Sequence, residues 1–398
     1  MLAAILWLRR QAGPACLHLL TWSSIWLTKL RYLRSACDAL MRLRAFPKTI
    51  AVFLPEPGHL HYVGESLNLM KDRGYHVHAY TKPEHIHFYR TKLKAARVYP
   101  YPACTMVRYP LVFTPSTPFS ANSYRHPGSM VVHLPHSMVS LHVVFQPTTF
   151  SHFDALLSCG PHHCAEIAAI FKHLGRKGQI FPVGYQRIDD IAKAEAPRKY
   201  PKLRPVVLIA PTWGKISLLA RFGVSLIDSL ISDFDIILRP HFWQLSQWHE
   251  QLEAIVDKYG EHSGFRLDIS NDSTDALLAA DVMISDYSGI AFEFAFARLR
   301  PVVFVEGPRK CFNEQWRQLY PEEAVEYRCR FELGTVVPDL TNVIPAVQDL
   351  IASQSDWEQR LRQARSRHLH HFGHAGEKTA DALELLFKGR DVRRSSLV

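Results

Sequence analysis

A chain of 398 residues with 47% hydrophobic and 21% charged side chains has the make-up of a globular enzyme with room for two cores, which excludes wholesale disorder, a collagen-like repeat and a disulfide-stapled miniprotein. Seven cysteines without a C-x-x-C pair fit a reducing compartment. The net charge of +10 is uneven: residues 1–48 hold Arg9, Arg10, Lys29, Arg31, Arg34, Arg42, Arg44 and Lys48 against Asp38 alone, eight minus one giving +7, which points to a local anionic surface and away from a nucleic-acid groove.

Residues 11–28 carry no charge and include Trp22 and Trp26. Eighteen residues is near the lower limit for a span, and Gln11, Gly13, Pro14, His18, Thr21, Ser23 and Ser24 dilute the stretch. Basic residues on both flanks give no orientation. A signal peptide does not fit, because the apolar start precedes the Arg9-Arg10 pair. The expectation is a basic amphipathic helix (1–48) lying in the headgroup region of an anionic membrane, peripheral on its cytoplasmic face. A helix packed on the protein itself and a single span are the alternatives.

Strands and helices then alternate. Thr49–Leu54 reads as a strand, Leu60–Asp72 as a helix stopped by Gly74, and His76–Tyr80 as the next strand. Val107–Phe113, Met130–His133 and Phe153–Ser158 continue the strands, and His163–His173 is a helix ending at Gly175. Ala192–Arg204, with Pro197 and Pro201, reads as a linker. A second series follows: strand Pro205–Ala210, helix Leu218–Ile231, strand Phe234–Leu238, helix Ser246–Tyr259, strands Phe265–Ile269 and Asp281–Ser285, helix Gly289–Ala297, strand Pro301–Val305, and a largely helical tail over Thr341–Lys388. The pattern predicts an α/β protein with two parallel-sheet units, 49–195 and 204–388, and ligands beyond the carboxyl ends of the strands.

Those strand ends gather polar and small residues: Leu134-Pro-His136-Ser137, Pro211-Thr212-Trp-Gly214, Arg239-Pro-His241 and Asp286-Tyr287-Ser288-Gly289. The Ser288–Gly289 step at a helix start offers backbone N–H groups to a diphosphate, and Arg239 adds permanent charge. A histidine at 136 or 241 suits proton transfer or charge stabilisation near neutrality. Glu293 is a carboxylate for ribose hydroxyls. Each has a plain structural counterpart: Asp286 and Ser288 are also placed to cap the helix, and Arg239 to form a surface ion pair.

Asp233-Phe-Asp235 precedes a strand instead of following one, and Cys159-Gly-Pro-His-His-Cys164 lacks a second ligand pair at zinc spacing, so no metal is expected. No G-x-G-x-x-G, P-loop or nucleophile elbow stands in a suitable context.

In order, Leu134-Pro-His136-Ser, Val183-Gly-Tyr-Gln-Arg187-Ile-Asp189, Ala210-Pro-Thr212-Trp, Leu238-Arg-Pro-His241 and Ile284-Ser-Asp-Tyr-Ser288-Gly-Ile-Ala-Phe-Glu293 resemble the CDP-glycerol glycerophosphotransferase family, which includes teichoic-acid primases and polymerases. The resemblance covers roughly residues 130–380 and ends at Ala375-Gly-Glu-Lys-Thr379. It implies a GT-B-like fold of two Rossmann-like domains facing a cleft, a CDP-alcohol donor, CMP as leaving group, no cofactor, and a lipid-linked or polysaccharide acceptor at the membrane face. By the matching motifs, His136 resembles the base that activates the acceptor, and His241 with Arg239 would stabilise the diphosphate. Ser137, Arg187, Thr212, Asp286, Tyr287, Ser288, Gly289, Glu293 and Thr379 would line the substrates. Two departures stand out: the family's His-Gly is His136-Ser137, without the lysine that often follows, and its Asp-Tyr-Ser-Ser ends in Gly289.

The expected reaction is an in-line attack of an acceptor hydroxyl on the distal donor phosphorus, resting on positioning and charge. A GT-B glycosyltransferase or nucleotide-sugar epimerase, and a non-catalytic membrane-bound binding protein, are the alternatives.

Overall fold

The computed structural model describes residues 14–94, 96–117, 128–195, 204–241, 245 and 249–395, with the side chains of 14–27, 249 and 390–395 left undescribed. Two parallel sheets organise them. The first has seven strands in the order β3-β2-β1-β4-β5-β6-β7: β1 Thr49–Phe53, β2 His76–Thr81, β3 Ala96–Pro100, β4 Leu111–Thr114, β5 Met130–His133, β6 Ala155–Ser158 and β7 Gln179–Pro182. The second has six, in the order β10-β9-β8-β11-β12-β13: β8 Val206–Ile209, β9 Asp235–Leu238, β10 Phe265–Leu267, β11 Val282–Ser285, β12 Val302–Val305 and β13 Gly334–Val337. Central strands such as VVLI in β8 and VVFV in β12 are buried throughout, because helices cover both faces of a parallel sheet.

In each sheet the strand order reverses beside the first strand, between β1 and β4 and between β8 and β11. Outward-running loops part at such a point, and the crevice they leave is where a ligand fits.

Helix α1 (Pro14–Ala45) precedes the first sheet. Ala36 and Ala39, three residues apart, are buried with Phe53, Tyr80 and Tyr99, so its C-terminal part packs on the protein. Tyr99 donates to Asp38 at 2.8 Å, and Arg42 pairs with the same carboxylate at 3.0 Å. Leu30, Leu33 and Met41 remain exposed. Most of the 11–28 stretch lies outside the residues whose side chains are described. Among the described residues no helix is long and apolar enough to cross a membrane.

Helix α2 (Leu60–Asp72) has the predicted bounds. The predicted helix over Leu218–Ile231 is two pieces, Leu218–Phe222 and Val224–Asp228, because Gly223 takes a positive φ of 48°. The strand expected from Val107 begins only at Leu111: residues Tyr101–Met106 form a 3-10 turn and Pro110 precedes the ladder. Ser246 falls outside the described residues, and the helix there runs His249–Tyr259. Of the expected linker, Ala192 and Lys193 belong to helix α3 (Gln186–Lys193), and 196–203 lie outside the described residues.

The tail forms α4 (Val343–Ala352), α5 (Gln354–His368) and α6 (Ala375–Ser395). Helix α6 does not stay with the second sheet. It packs on α2, and Ala380, Leu383, Leu386 and Phe387 join the core of the first sheet. The Asp189 carboxylate accepts from the backbone N–H of Gly373 and Ala375 at 2.7 and 2.8 Å, fixing the return.

Candidate active site

His136 stands on the loop after β5. Its Nδ1 lies 2.7 Å from the carbonyl of Pro115, at the end of β4. A carbonyl only accepts, so Nδ1 carries the proton and Nε2 keeps its lone pair. Burial pushes the His136 pKa down, with Lys310 charge adding to it, so the ring is neutral near pH 7. His59 and Tyr62 stand about the ring with centroids 6.0 and 6.1 Å away, and Tyr62 stacks on Tyr185 at 5.7 Å. Burial depresses His59 to about 3.

On the facing sheet, Asp286 follows β11. Its carboxylate accepts from the backbone N–H groups of Thr212 (2.7 Å), Tyr287 (2.7 Å) and Leu218 (3.1 Å), which ties the loop after β8 to the loop after β11. Asp286 is 1% exposed and does not cap the helix that follows: Ile290–Arg298 is preceded by Gly289, with no side-chain cap. Tyr287 is also internal. Its hydroxyl lies 2.7 Å from the Gly307 carbonyl and 2.8 Å from Glu306, and its ring stacks on Tyr327 at 4.4 Å. Both residues are buried and hold the loops after β8, β11 and β12 to one another. Ser288 is buried beside them, and Ser137 of the first sheet meets Gly289: a Cβ at Gly289 would fall 2.2 Å from Ser137 Oγ.

Arg187 bridges the two units. Its Nη2 donates to Asp272 Oδ1 at 3.1 Å and Ser273 Oγ at 2.6 Å, and Nη1 donates to Thr274 Oγ1 at 3.0 Å. Its Nε is 3.7 Å from Glu293. Glu293 in turn accepts from the Tyr185 hydroxyl at 3.0 Å, and that hydroxyl lies 2.8 Å from the His136 carbonyl. Arg187 and Glu293 thus brace the His136 loop against the second unit.

Arg239 is paired with Asp268 at 2.7 Å and donates to the Ser270 carbonyl at 2.9 Å, so its charge is spent at the end of β10. His241 lies 6.3 Å from the Trp213 ring, and burial depresses it to about 3, helped by the charges of Lys310 and His136. Thr379 is 2% exposed within α6 and, among the described residues, forms no hydrogen bond to the other candidates.

Sequence reasoning missed Lys310. It follows β12, and its Nζ donates to Thr212 Oγ1 at 3.1 Å. The strand-end rule that selected 136, 212, 241 and 286 would have reached it had the residues after Val305 been included. Tyr62 and His59 were also missed, and Tyr185 was quoted only within its motif, because their neighbours in space come from separate elements. Elsewhere, Cys329, Glu332 and His368 lie within 4.8 Å of one another, with Glu332 already paired to Arg367 at 2.6 Å.

The model of the CDP-glycerol:poly(glycerophosphate) glycerophosphotransferase family matches residues 146–383, more than half of the chain, beginning after the His136 loop. The chain is 24% identical over 226 residues to the teichoic acid glycerol-phosphate transferase of Staphylococcus aureus (strain NCTC 8325 / PS 47), covering 52% of this chain and 53% of that protein. It therefore spans about half the length of that curated relative. The wall teichoic acid polymerase TagF, in a variant soaked with CDPG, superposes with a TM-score of 0.56 at 16% identity, covering 95% of this chain and 99% of that one. A crystal structure from Listeria monocytogenes assigned as a UDP-N-acetylglucosamine 2-epimerase gives 0.60 at 13% identity, over 86% and 97%. These likenesses define the fold, an α/β GT-B-like arrangement of two parallel sheets.

Proposed function

The chain belongs to the CDP-glycerol:poly(glycerophosphate) glycerophosphotransferase family, and from that premise we propose that it transfers glycerol phosphate from CDP-glycerol to a hydroxyl of a glycerophosphate-type acceptor in teichoic acid synthesis. The observation that carries the mechanism is the tautomer of His136. With Nδ1–H bound to the Pro115 carbonyl, Nε2 is a neutral acceptor on an imidazole that has His59 and Tyr62 about it. His136 Nε2 takes the proton of the acceptor hydroxyl. The oxygen attacks the distal phosphorus, the P–O bond to CMP breaks, and CMP keeps the bridging oxygen with its electron pair.

The unit of the first sheet, 49–195 with helix α6 packed on it, would hold the acceptor, and the unit of the second sheet, which begins at 204, the donor. Thr212, His241 and the Ser288–Gly289 backbone would line the donor, with Asp286 holding the loops in register. Ser137, opposite Gly289, would touch both substrates. Helix α1 would rest on an anionic membrane carrying a lipid-linked acceptor. Its support is the basic series Lys29, Arg31, Arg34 and Arg44 beside exposed Leu30, Leu33 and Met41, and a groove lined by Arg42, Arg90, Lys94 and Arg97.

Incubating the full chain with CDP-glycerol, membrane lipid extract and, separately, UDP-sugars tests this. The expected result is CMP release and a glycerol phosphate added to an acceptor by mass spectrometry, reduced about a hundredfold or more in His136→Ala. Release of UDP from a sugar donor, with none of CMP, would move the chain to sugar chemistry.

A further inference from the structure

We propose that Lys310 is the cation that receives the diphosphate of the nucleotide donor. The proposal rests on the donor chemistry given above and extends it to a residue outside the motifs.

Lys310 is 6% exposed, yet its ammonium forms one hydrogen bond, to the neutral hydroxyl of Thr212 at 3.1 Å. Among the described residues no carboxylate lies within ion-pair distance of it. An ammonium has three donors, and burying one without a counter-charge is unfavourable. The other buried or half-buried cations of the crevice are all spent: Arg187 on Asp272, Ser273 and Thr274, and Arg239 on Asp268 and Ser270. Of the carboxylates whose charge reaches Lys310, Asp286 is held by three backbone N–H groups, and Glu326 accepts from the N–H of Ser140 at 2.9 Å through Oε2 while its buried Oε1 has no hydrogen-bond partner; neither forms an ion pair with Lys310 among the described residues. A fold that keeps such a charge dry and unpaired needs an anion that comes and goes.

Position selects that anion. Lys310 follows β12, beside β11, and reaches Thr212 after β8, so its Nζ stands at the strand-order reversal of the second sheet. The loop is also rigid. The Lys310 backbone N–H donates to the Tyr327 hydroxyl at 2.5 Å, Tyr327 stacks on Tyr287, and the Tyr287 hydroxyl holds the Gly307 carbonyl. The Nζ also stands over the Trp213 ring, 5.4 Å from its centroid, a cation–π contact that leaves two of its N–H donors for an anion. When the P–O bond between the two phosphates breaks, the electron pair stays on the CMP oxygen, and a fixed ammonium there lowers the cost of that charge without a proton transfer.

The test is calorimetric titration of the full chain and of Lys310→Gln with CDP and with cytidine. The expected result is a loss of CDP affinity of about ten- to a hundredfold with cytidine affinity unchanged. The unliganded variant should melt no lower than the wild type, since a buried unpaired charge has gone. Unchanged CDP affinity, or equal losses for CDP and cytidine with a lower Tm, would overturn the proposal by making Lys310 a structural residue. Lys310→Met repeats the measurement if the glutamine does not fold. A wild type that prefers UDP would sink the CDP donor only, and the same pair of titrations with UDP and uridine would still decide Lys310. A wild type that binds no nucleoside diphosphate would overturn both.

Discussion

The Oγ of Ser137 stands 2.2 Å from the point that a Cβ on Gly289 would occupy, with Val139 Cγ1 a further 3.5 Å neighbour of that point. The two departures from the family's His-Gly and Ser-Ser motifs therefore fill one space. The Ser137 hydroxyl in its present position and a side chain at 289 cannot both occupy that space, so one of them must shift. Gly289→Ser alone should overpack the site and cost about 1–3 kcal/mol. Adding Ser137→Gly should recover most of that loss, and a double-mutant cycle on Tm and on CMP release measures the coupling. Additive effects would show that the two positions do not meet.

His136 is held below the ordinary histidine pKa, chiefly by burial. The active form of a base is the neutral one, so kcat/KM for CMP release falls as pH drops through a value below that of an ordinary histidine. A half-maximal point at or above 6.5 in a pH 5–9 series would remove His136 from the base role.

Asp286 accepts three backbone N–H bonds in the dry interior. Asn offers one acceptor oxygen and turns an N–H₂ toward those donors. Asp286→Asn should cost about 3 kcal/mol, and CDP binding should weaken with it because the loops after β8 and β11 lose their tie. Denaturant unfolding followed by calorimetry checks both. Wild-type stability in this variant would mean that the carboxylate is not holding the loops.

Glu326 is buried against Ser140 N–H, and burial raises its pKa to about 7. The folded state then binds more protons than the unfolded state between the ordinary carboxylate range and 7, so this group lowers stability as pH rises through that window. Glu326→Gln keeps the oxygen that accepts from Ser140 and cannot ionise. Its Tm should exceed the wild-type value at pH 8, with the gap closing toward pH 5. A constant gap would assign the effect to packing.

The limits of sequence reading fall on particular strands. β5, Met130–His133, and helix Leu60–Asp72 have the predicted bounds, because a central strand and an amphipathic helix each carry an uninterrupted apolar signal. β3, β7 and β13 were not anticipated. All three are edge strands, and an edge has one side open to solvent, so residues such as Arg97, Gln179 and Thr335 break the apolar run. The fate of α6 was equally hidden. Its sequence shows a helix, and only the contacts of Ala380 and Leu383 show which sheet it covers.

The sequence by itself determined the alternation that makes two parallel sheets, the strand ends where the chemistry collects, and the family. Those follow from local periodicity and from residues adjacent along the chain. Tertiary structure decided what each of those residues is free to do. Arg239 read as a phosphate cation and Arg187 as a substrate-lining residue, and they are spent on Asp268 and Asp272, whereas Lys310 read as nothing and forms no ion pair beside Thr212 among the described residues. A charge acquires its role from its partner, and the partners of these three lie between 29 and 98 positions away.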